Sequence, residues 1–142
     1  MALFDFFRKL KFFSGRNTEG IAADDLDFPK WVKAHQDWRA RLVAFINGTS
    51  TEVLEEAVVC RDDRCALGQW IHANGTRFYG DVDVFQQLKG HHADFHRSAG
   101  MVIAMFNKVG AKAATKALHQ DFDLNSMRVV RSLEALERKV SA

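Results

Sequence analysis

The sequence predicts an all-α protein, a four-helix bundle whose second element is irregular. Among 142 residues there is a single proline, Pro29, whereas an all-β fold would need many turn-forming residues. Apolar residues recur at steps of three and four over long stretches, which is the spacing of helices that bury one face. The chain is long enough for one domain with a substantial core and a short tail. A net charge of +2, without basic runs interleaved with aromatic residues, gives no indication of nucleic-acid binding.

The chain begins with an amphipathic segment, residues 1–13, in which apolar residues at helical spacing alternate with acidic and basic ones. We expect a helix that serves as a peripheral membrane anchor or as a docking peptide for a partner, or else one that packs on its own domain. Residues 14–28 are rich in glycine and acids and are interpreted as a linker. The bundle itself is predicted over residues 29–142.

The apolar segments of the chain indicate where in the cell the protein resides. Charged residues interrupt the apolar start, so it is not a secretory signal peptide, and no apolar run reaches the roughly 20 residues of a membrane span. We therefore expect a cytoplasmic protein that residues 1–13 can bring to the inner face of the membrane.

The first long helix is predicted from Pro29 to Ile46, because Asp27 can cap its start and Pro29 fits its first turn. Its apolar residues define one buried stripe, and His35 lies on that stripe rather than on the polar face. The sequence Asn47-Gly48-Thr49-Ser50 is expected to end it.

The second element is predicted to be broken. Residues 51–59 indicate a short helix capped by Ser50 or Thr51, and residues 60–64 a polar turn. Residues 65–72 indicate another short helix, which Ala73-Asn74-Gly75 should end.

Two long helices complete the predicted bundle. One runs from Val82 to Lys108 and the other from Ala113 to Val140, with Gly110 between them. Gly90 and Gly100 argue against a continuous helix from Val82 to Lys108, since a glycine inside a helix costs about 1 kcal/mol relative to alanine unless close packing requires it.

Four side chains are candidates for one metal site. His92 and His96 are four residues apart, so a helix places both imidazoles on one face. The thiol of Cys65 is a third ligand of the soft type that zinc accepts. A closed structural zinc site usually has four ligands, and His35, on the buried stripe of the first helix, is the obvious fourth.

Each candidate also has an ordinary explanation. A histidine among apolar residues is often a hydrogen-bonded core residue, an HxxxH pair arises by chance, and a buried cysteine often packs as a small hydrophobe. The chain has two cysteines, Cys60 and Cys65, which a reducing compartment would keep free or metal-bound. Cys60 could be a bystander, a resolving thiol or a competing ligand, and His91 adjoins His92 without sharing the face of His96. His72 and His119 are expected to be surface or structural residues.

Three motifs occur in order along the chain: His35-Gln36-Asp37-Trp38, then Cys65-Ala66-Leu67-Gly68-Gln69-Trp70, then His92 to Phe95-His96. With them the chain resembles the chemoreceptor zinc-binding domain family over roughly residues 29–140. That family is a bacterial module with three histidines and one cysteine around zinc. The resemblance implies that His35, Cys65, His92 and His96 bind Zn²⁺.

The resemblance also implies a function. Domains of this family are attached to chemoreceptors and diguanylate cyclases and are associated with sensing zinc or oxidants such as hypochlorous acid. The chain shows no cyclase GG[DE]EF motif and no long receptor coiled coil, so we expect a stand-alone, non-enzymatic sensor that acts on such a partner in trans and forms a homodimer. The alternatives are an adaptor stapled by structural zinc, a redox protein using Cys60 and Cys65, and a hydrolase if His35 points away from the metal.

The residues around the four ligands can be predicted from the chemistry of zinc sites. Each imidazole should donate its second nitrogen to an acceptor, for which Asp37 and Asp94 are candidates. The aromatic residues Trp38, Trp70 and Phe95 are expected to shield the ion from water.

Overall fold

The structure, a computed structural model, describes residues 26–141, and every regular element within them is helical. The chain divides into a first unit, residues 1–30, of which only residues 26–30 are described, and a second unit from residue 31 onward. The all-α prediction is confirmed for the described residues. The predictions of an amphipathic helix at residues 1–13 and of a linker up to residue 25 lie outside them.

Helix α1 spans Phe28–Asn47, close to its predicted bounds. The backbone N–H of Lys30 donates to Asp27 Oδ1 at 3.3 Å, so Asp27 caps the helix as expected. The helix is followed by Gly48 with a φ of 74°, the left-handed conformation that glycine adopts without strain. His35 is buried, on the face that also buries Trp38 and Leu42.

The second element holds three short helices: α2 at Glu56–Val59, α3 at Ala66–Trp70 and α4 at Thr76–Tyr79. The predicted helix over residues 51–59 begins only at Glu56. Ser50 explains the difference, because its Oγ accepts from the backbone N–H of Glu52 at 3.1 Å and donates to the Glu52 carbonyl at 3.2 Å. Such a local turn competes with helix formation.

The predicted helix end at Ala73-Asn74-Gly75 is wrong. A π-helical turn, Ile71–Gly75, joins α3 to α4, and the helical path ends only at Tyr79. Gly75 is buried, and a Cβ there would lie 2.7 Å from the ring of Phe85. This glycine therefore permits close packing rather than ending a helix.

Helix α5 spans Asp83–Lys108 without interruption, and its two glycines differ in role. Gly90 is exposed with nothing near its missing Cβ, whereas a Cβ at Gly100 would lie 2.8 Å from Cys60 Cβ. After Gly110, α6 at Ala111–Ala117, a π-helical turn at Leu118–Phe122 and α7 at Asp123–Ser141 follow in direct succession. The predicted last helix is thus present, with a wider turn inside it.

The core forms where α5 packs against α6, α7 and α2. Phe95 of α5 and the fully buried Phe122 pack there with ring centroids 5.0 Å apart and their planes tilted by 48°. Burying a side chain of this size contributes about 1.5–3 kcal/mol, so this contact helps to hold α5 against the segment that follows α6. The fully buried apolar side chains of the core include Phe85, Leu88, Val102, Ile103, Val129, Leu133 and Leu136.

None of the helices within residues 26–141 has the length and apolar character required to cross a membrane.

The two glycines of α5 give a matched test of this packing. We expect Gly90→Ala to raise the free energy of unfolding by about 0.5–1 kcal/mol, since it adds helix propensity in open space. Gly100→Ala should lower it by about 1–3 kcal/mol because the new methyl group displaces Cys60. Urea unfolding of both variants measures the difference, and equal effects would contradict the packing described.

Candidate metal centre

Three helical elements bring four potential ligands to one point. His35 comes from α1, Cys65 from the residue that precedes α3, and His92 and His96 from α5. Their donor atoms all lie within 4.8 Å of one another. The three histidines are buried and Cys65 is partly exposed.

The distances suit a tetrahedral ion. Cys65 Sγ lies 3.2 Å from His92 Nε2, 3.6 Å from His96 Nε2 and 4.0 Å from His35 Nε2. Zinc bonds of about 2.0–2.1 Å to nitrogen and 2.3 Å to sulfur place tetrahedral N and S ligands about 3.6 Å apart. The three distances bracket this value, so the Cys65 sulfur and the three imidazoles are close enough to bind one zinc ion.

Backbone carbonyls fix the orientation of two imidazoles. His35 Nδ1 lies 2.7 Å from the carbonyl oxygen of Trp31, and His96 Nδ1 lies 3.0 Å from that of Val59. A carbonyl oxygen can only accept, so Nδ1–H donates in both rings and each Nε2 presents its lone pair to the cluster.

The carboxylates proposed from sequence as acceptors do not fill this role. Asp37 pairs with Lys33 at 2.8 Å and Asp94 with Arg97 at 2.9 Å. Both pairs are solvent-exposed neighbours on a single helix. The acceptor at Val59 has no sequence signature, since every residue carries a carbonyl.

Gly68 explains why a cysteine and a glycine three residues apart form one unit. Its backbone N–H donates to Cys65 Sγ at 3.3 Å, so the thiol caps α3 as well as facing the histidines. A Cβ at Gly68 would collide with the backbone carbonyl of Asp62 and lie 3.2 Å from His92 Cε1. Glycine therefore lets the cysteine segment approach α5.

Burial keeps the imidazoles in the form that binds metal. Loss of solvation, together with the neighbouring histidines, lowers the pKa of His92 to about 2, and burial lowers the pKa of His35 to about 4. Burial also lowers the pKa of His96. Burial raises the pKa of the Cys65 thiol, although the N–H of Gly68 opposes this.

Hydrogen bonding within the cluster is incomplete without a cation. The single S–H of Cys65 can serve only one of the lone pairs that His35 and His96 present. His92 also turns its Nε2 to the cluster, 3.2 Å from Cys65 Sγ, whereas its buried Nδ1 has no hydrogen-bond partner among the described residues, so the acceptor expected for the second nitrogen is found for His35 and His96 only. A divalent cation satisfies all four inward donors at once, so the donor set fits zinc.

The other candidates stand apart from this cluster. Cys60 is exposed, with its Sγ 3.7 Å from the carbonyl oxygen of Ala57, and neither it nor His91 belongs to the group of ligand atoms. His72 lies 3.3 Å from Asp62, and His119 lies 3.5 Å from Asp123. These two histidines are surface residues, as expected.

Aromatic rings surround part of the cluster. Phe95 lies 4.9 Å from the His35 ring and Trp38 lies 6.3 Å from the His96 ring, as centroid distances. Trp70, the third ring expected to shield the ion, packs on Trp31 at 5.0 Å.

Zinc content provides the direct test of these assignments. Wild-type protein should retain about one zinc per chain after dialysis, since a closed four-ligand site binds tightly. Cys65→Ala and His96→Ala should lose it, while Cys60→Ser and His91→Ala should retain it. Elemental analysis measures the content, with circular dichroism to verify that each variant is helical. Equal content in Cys65→Ala and Cys60→Ser would contradict the ligand set.

Comparison with known proteins gives one match. The family model of the chemoreceptor zinc-binding domain matches residues 35–103, a range that begins at His35 and includes Cys65, His92 and His96. The comparisons with curated proteins and with solved structures returned no match. The family match and the three-histidine, one-cysteine cluster within it together identify residues 35–103 as similar to the chemoreceptor zinc-binding domain family.

Proposed function

We propose that this domain is a non-catalytic sensor in which His35, Cys65, His92 and His96 hold zinc and the Cys65 segment reports whether the ion and an intact thiolate are present. This proposal is supported by a difference among the four side chains in their burial and in the length of the helices that carry them. Three are buried on the long helices α1 and α5, whereas the thiol is partly exposed on the broken second element. A four-ligand site leaves no open position for a water nucleophile, which argues against hydrolysis.

Oxidation of the thiolate and loss of zinc would have the same structural consequence. Bound zinc keeps a coordinated sulfur deprotonated at neutral pH. Oxidation of that sulfur removes a ligand, and chelation removes the ion. Either event releases Cys65 from the histidines, and the segment from α2 to α3 then loses one of its links to the long helices.

The link from the site to this segment also passes through Val59. Its carbonyl oxygen accepts from His96 Nδ1, and Val59 ends α2. A shift of His96 on loss of zinc therefore weakens the contact of α2 with α5. The partner surface is proposed to include this element, and the partner to be a chemoreceptor or a diguanylate cyclase.

The main alternative is an adaptor in which zinc is only a staple. The buried histidines are consistent with this adaptor, because they would hold the zinc ion tightly and an ion that never leaves the site can still stabilise the fold. A redox protein using Cys60 and Cys65 is a weaker alternative, since Cys60 stands outside the ligand cluster.

Hydrogen exchange distinguishes the sensor from the staple. For a sensor, chelation of zinc, or treatment with hydrogen peroxide, should raise amide exchange across residues 56–65 while α7, Asp123–Ser141, stays protected. Adding zinc after chelation, or a thiol reductant and zinc after oxidation, should restore protection. Cys60→Ser should respond like the wild type. A uniform loss of protection throughout the bundle, or no change at all, would favour the staple.

The proposed cytoplasmic setting involves residues 1–13. We propose that this segment brings the domain to the inner face of the membrane or to its partner, and that the domain forms a homodimer. Deleting residues 1–13 should move the protein from the membrane fraction to the supernatant while leaving its zinc content unchanged. Unchanged fractionation after the deletion would contradict the anchoring role.

Capture of the partner with and without chelator, followed by identification of the bound proteins, tests the signalling role.

A further inference from the structure

A cleft reaches the metal cluster from one side. It has a volume of about 550 Å³ and lies between α1 and the segment that carries α2, with Cys65 and His96 in its lining. Pockets of about 300–1,000 Å³ accept small molecules, so this one is ample for a small reagent. Within the described part of the chain, His35 and His92 do not line it.

The rim of the cleft carries balanced charge. Its charged side chains are three arginines and three carboxylates: Asp37, Arg41, Glu52, Glu55, Arg61 and Arg64. Arg41 and Glu52 form a two-point ion pair with N···O distances of 2.9 and 2.7 Å, which joins α1 to the loop before α2. A rim without net charge does not concentrate ions of either sign.

The rest of the lining is largely apolar. Leu54, Val58 and Val59 lie on the side of α2, and the Trp38 ring, which the Arg41 guanidinium covers at 3.7 Å, lies on the side of α1. Arg41, Asp37 and Arg61 are already paired with Glu52, Lys33 and Asp63, so a charged reagent that loses solvation among the apolar groups would have to compete with these partners, whereas an uncharged one would not.

We propose that this cleft is the route by which a small, uncharged oxidant reaches the Cys65 sulfur, so that its rim and walls select the reagents to which the site responds. The proposal rests on the sensor function above. With hydrogen peroxide as the oxidant, the Cys65 thiolate attacks one peroxide oxygen, the S–O bond forms and the O–O bond breaks. Two electrons pass from sulfur to the peroxide, and the products are the sulfenic acid and hydroxide.

Charge selectivity can be measured without altering the cleft. In a Cys60→Ser background, Cys65 is the only thiol, and its reaction with neutral, anionic and cationic methanethiosulfonates of similar size is followed by intact mass. The exposed Cys60 in a Cys65→Ser background gives the reference rates. For each reagent, the rate with Cys65 is divided by the rate with Cys60. This ratio should be at least about tenfold higher for the neutral reagent than for either charged reagent. Equal relative rates for all three reagents would overturn the proposal.

A filled cleft gives the second test. Val58 is 40% exposed and lines the cleft, while Val109 is 69% exposed and lies outside it. In the Cys60→Ser background, Val58→Trp should slow oxidation of Cys65 by hydrogen peroxide at least about tenfold, and Val109→Trp should change it less than about twofold. Both variants should contain as much zinc as their parent. Equal oxidation rates in the two variants would overturn the access route.

Failure of the access route can be told apart from failure of the sensor function. If Val58→Trp does not protect Cys65 but oxidation still releases zinc, the route is wrong and the sensor stands. If the cleft controls oxidation but oxidised protein keeps its zinc and its protected amides, the route stands and the proposed function fails.

Discussion

Everything in this fold depends on four inward-facing donor atoms that cannot satisfy one another. The carbonyls of Trp31 and Val59 commit the lone pairs of His35 and His96 to the centre of the cluster. The single thiol proton serves only one of them, and an unpaired buried polar group costs about 1–3 kcal/mol. A bound cation removes that cost, so the free energy of metal binding is also free energy of folding. Helices α1 and α5 and the residue that precedes α3 meet at this cluster.

The four proposed ligands are supported unequally, and the proposed sensor function rests on this difference. Helices α1 and α5 hold the histidines within the core, whereas Cys65 precedes a five-residue helix and borders an open cleft. In the proposed mechanism, a reagent that enters the cleft meets the sulfur and His96, and loss of the sulfur as a ligand loosens a segment with few buried side chains. Leu54 and Val59 are the buried residues between Gly48 and Cys65. A small chemical change at one atom can therefore alter a surface several residues long.

Side-chain identity predicted which four residues come together, whereas the backbone details around them could not be predicted. Helical spacing placed His92 and His96 on one face, and the buried stripe of α1 placed His35 toward the same core. The roles of the Val59 carbonyl and the cleft could not be read from the sequence, because both arise from where backbone segments meet. Gly75 was misinterpreted because a glycine that permits packing resembles one that ends a helix. The turn at Ser50 was missed because its side chain can cap a helix or replace one.

Zinc K-edge X-ray absorption of the purified protein measures whether one ion joins these four side chains. We expect a four-coordinate spectrum with three imidazole nitrogens at about 2.0–2.1 Å and one sulfur at about 2.3 Å. A spectrum with two sulfurs, or with oxygen in place of an imidazole, would contradict the assignment of His35, Cys65, His92 and His96 as the complete ligand set.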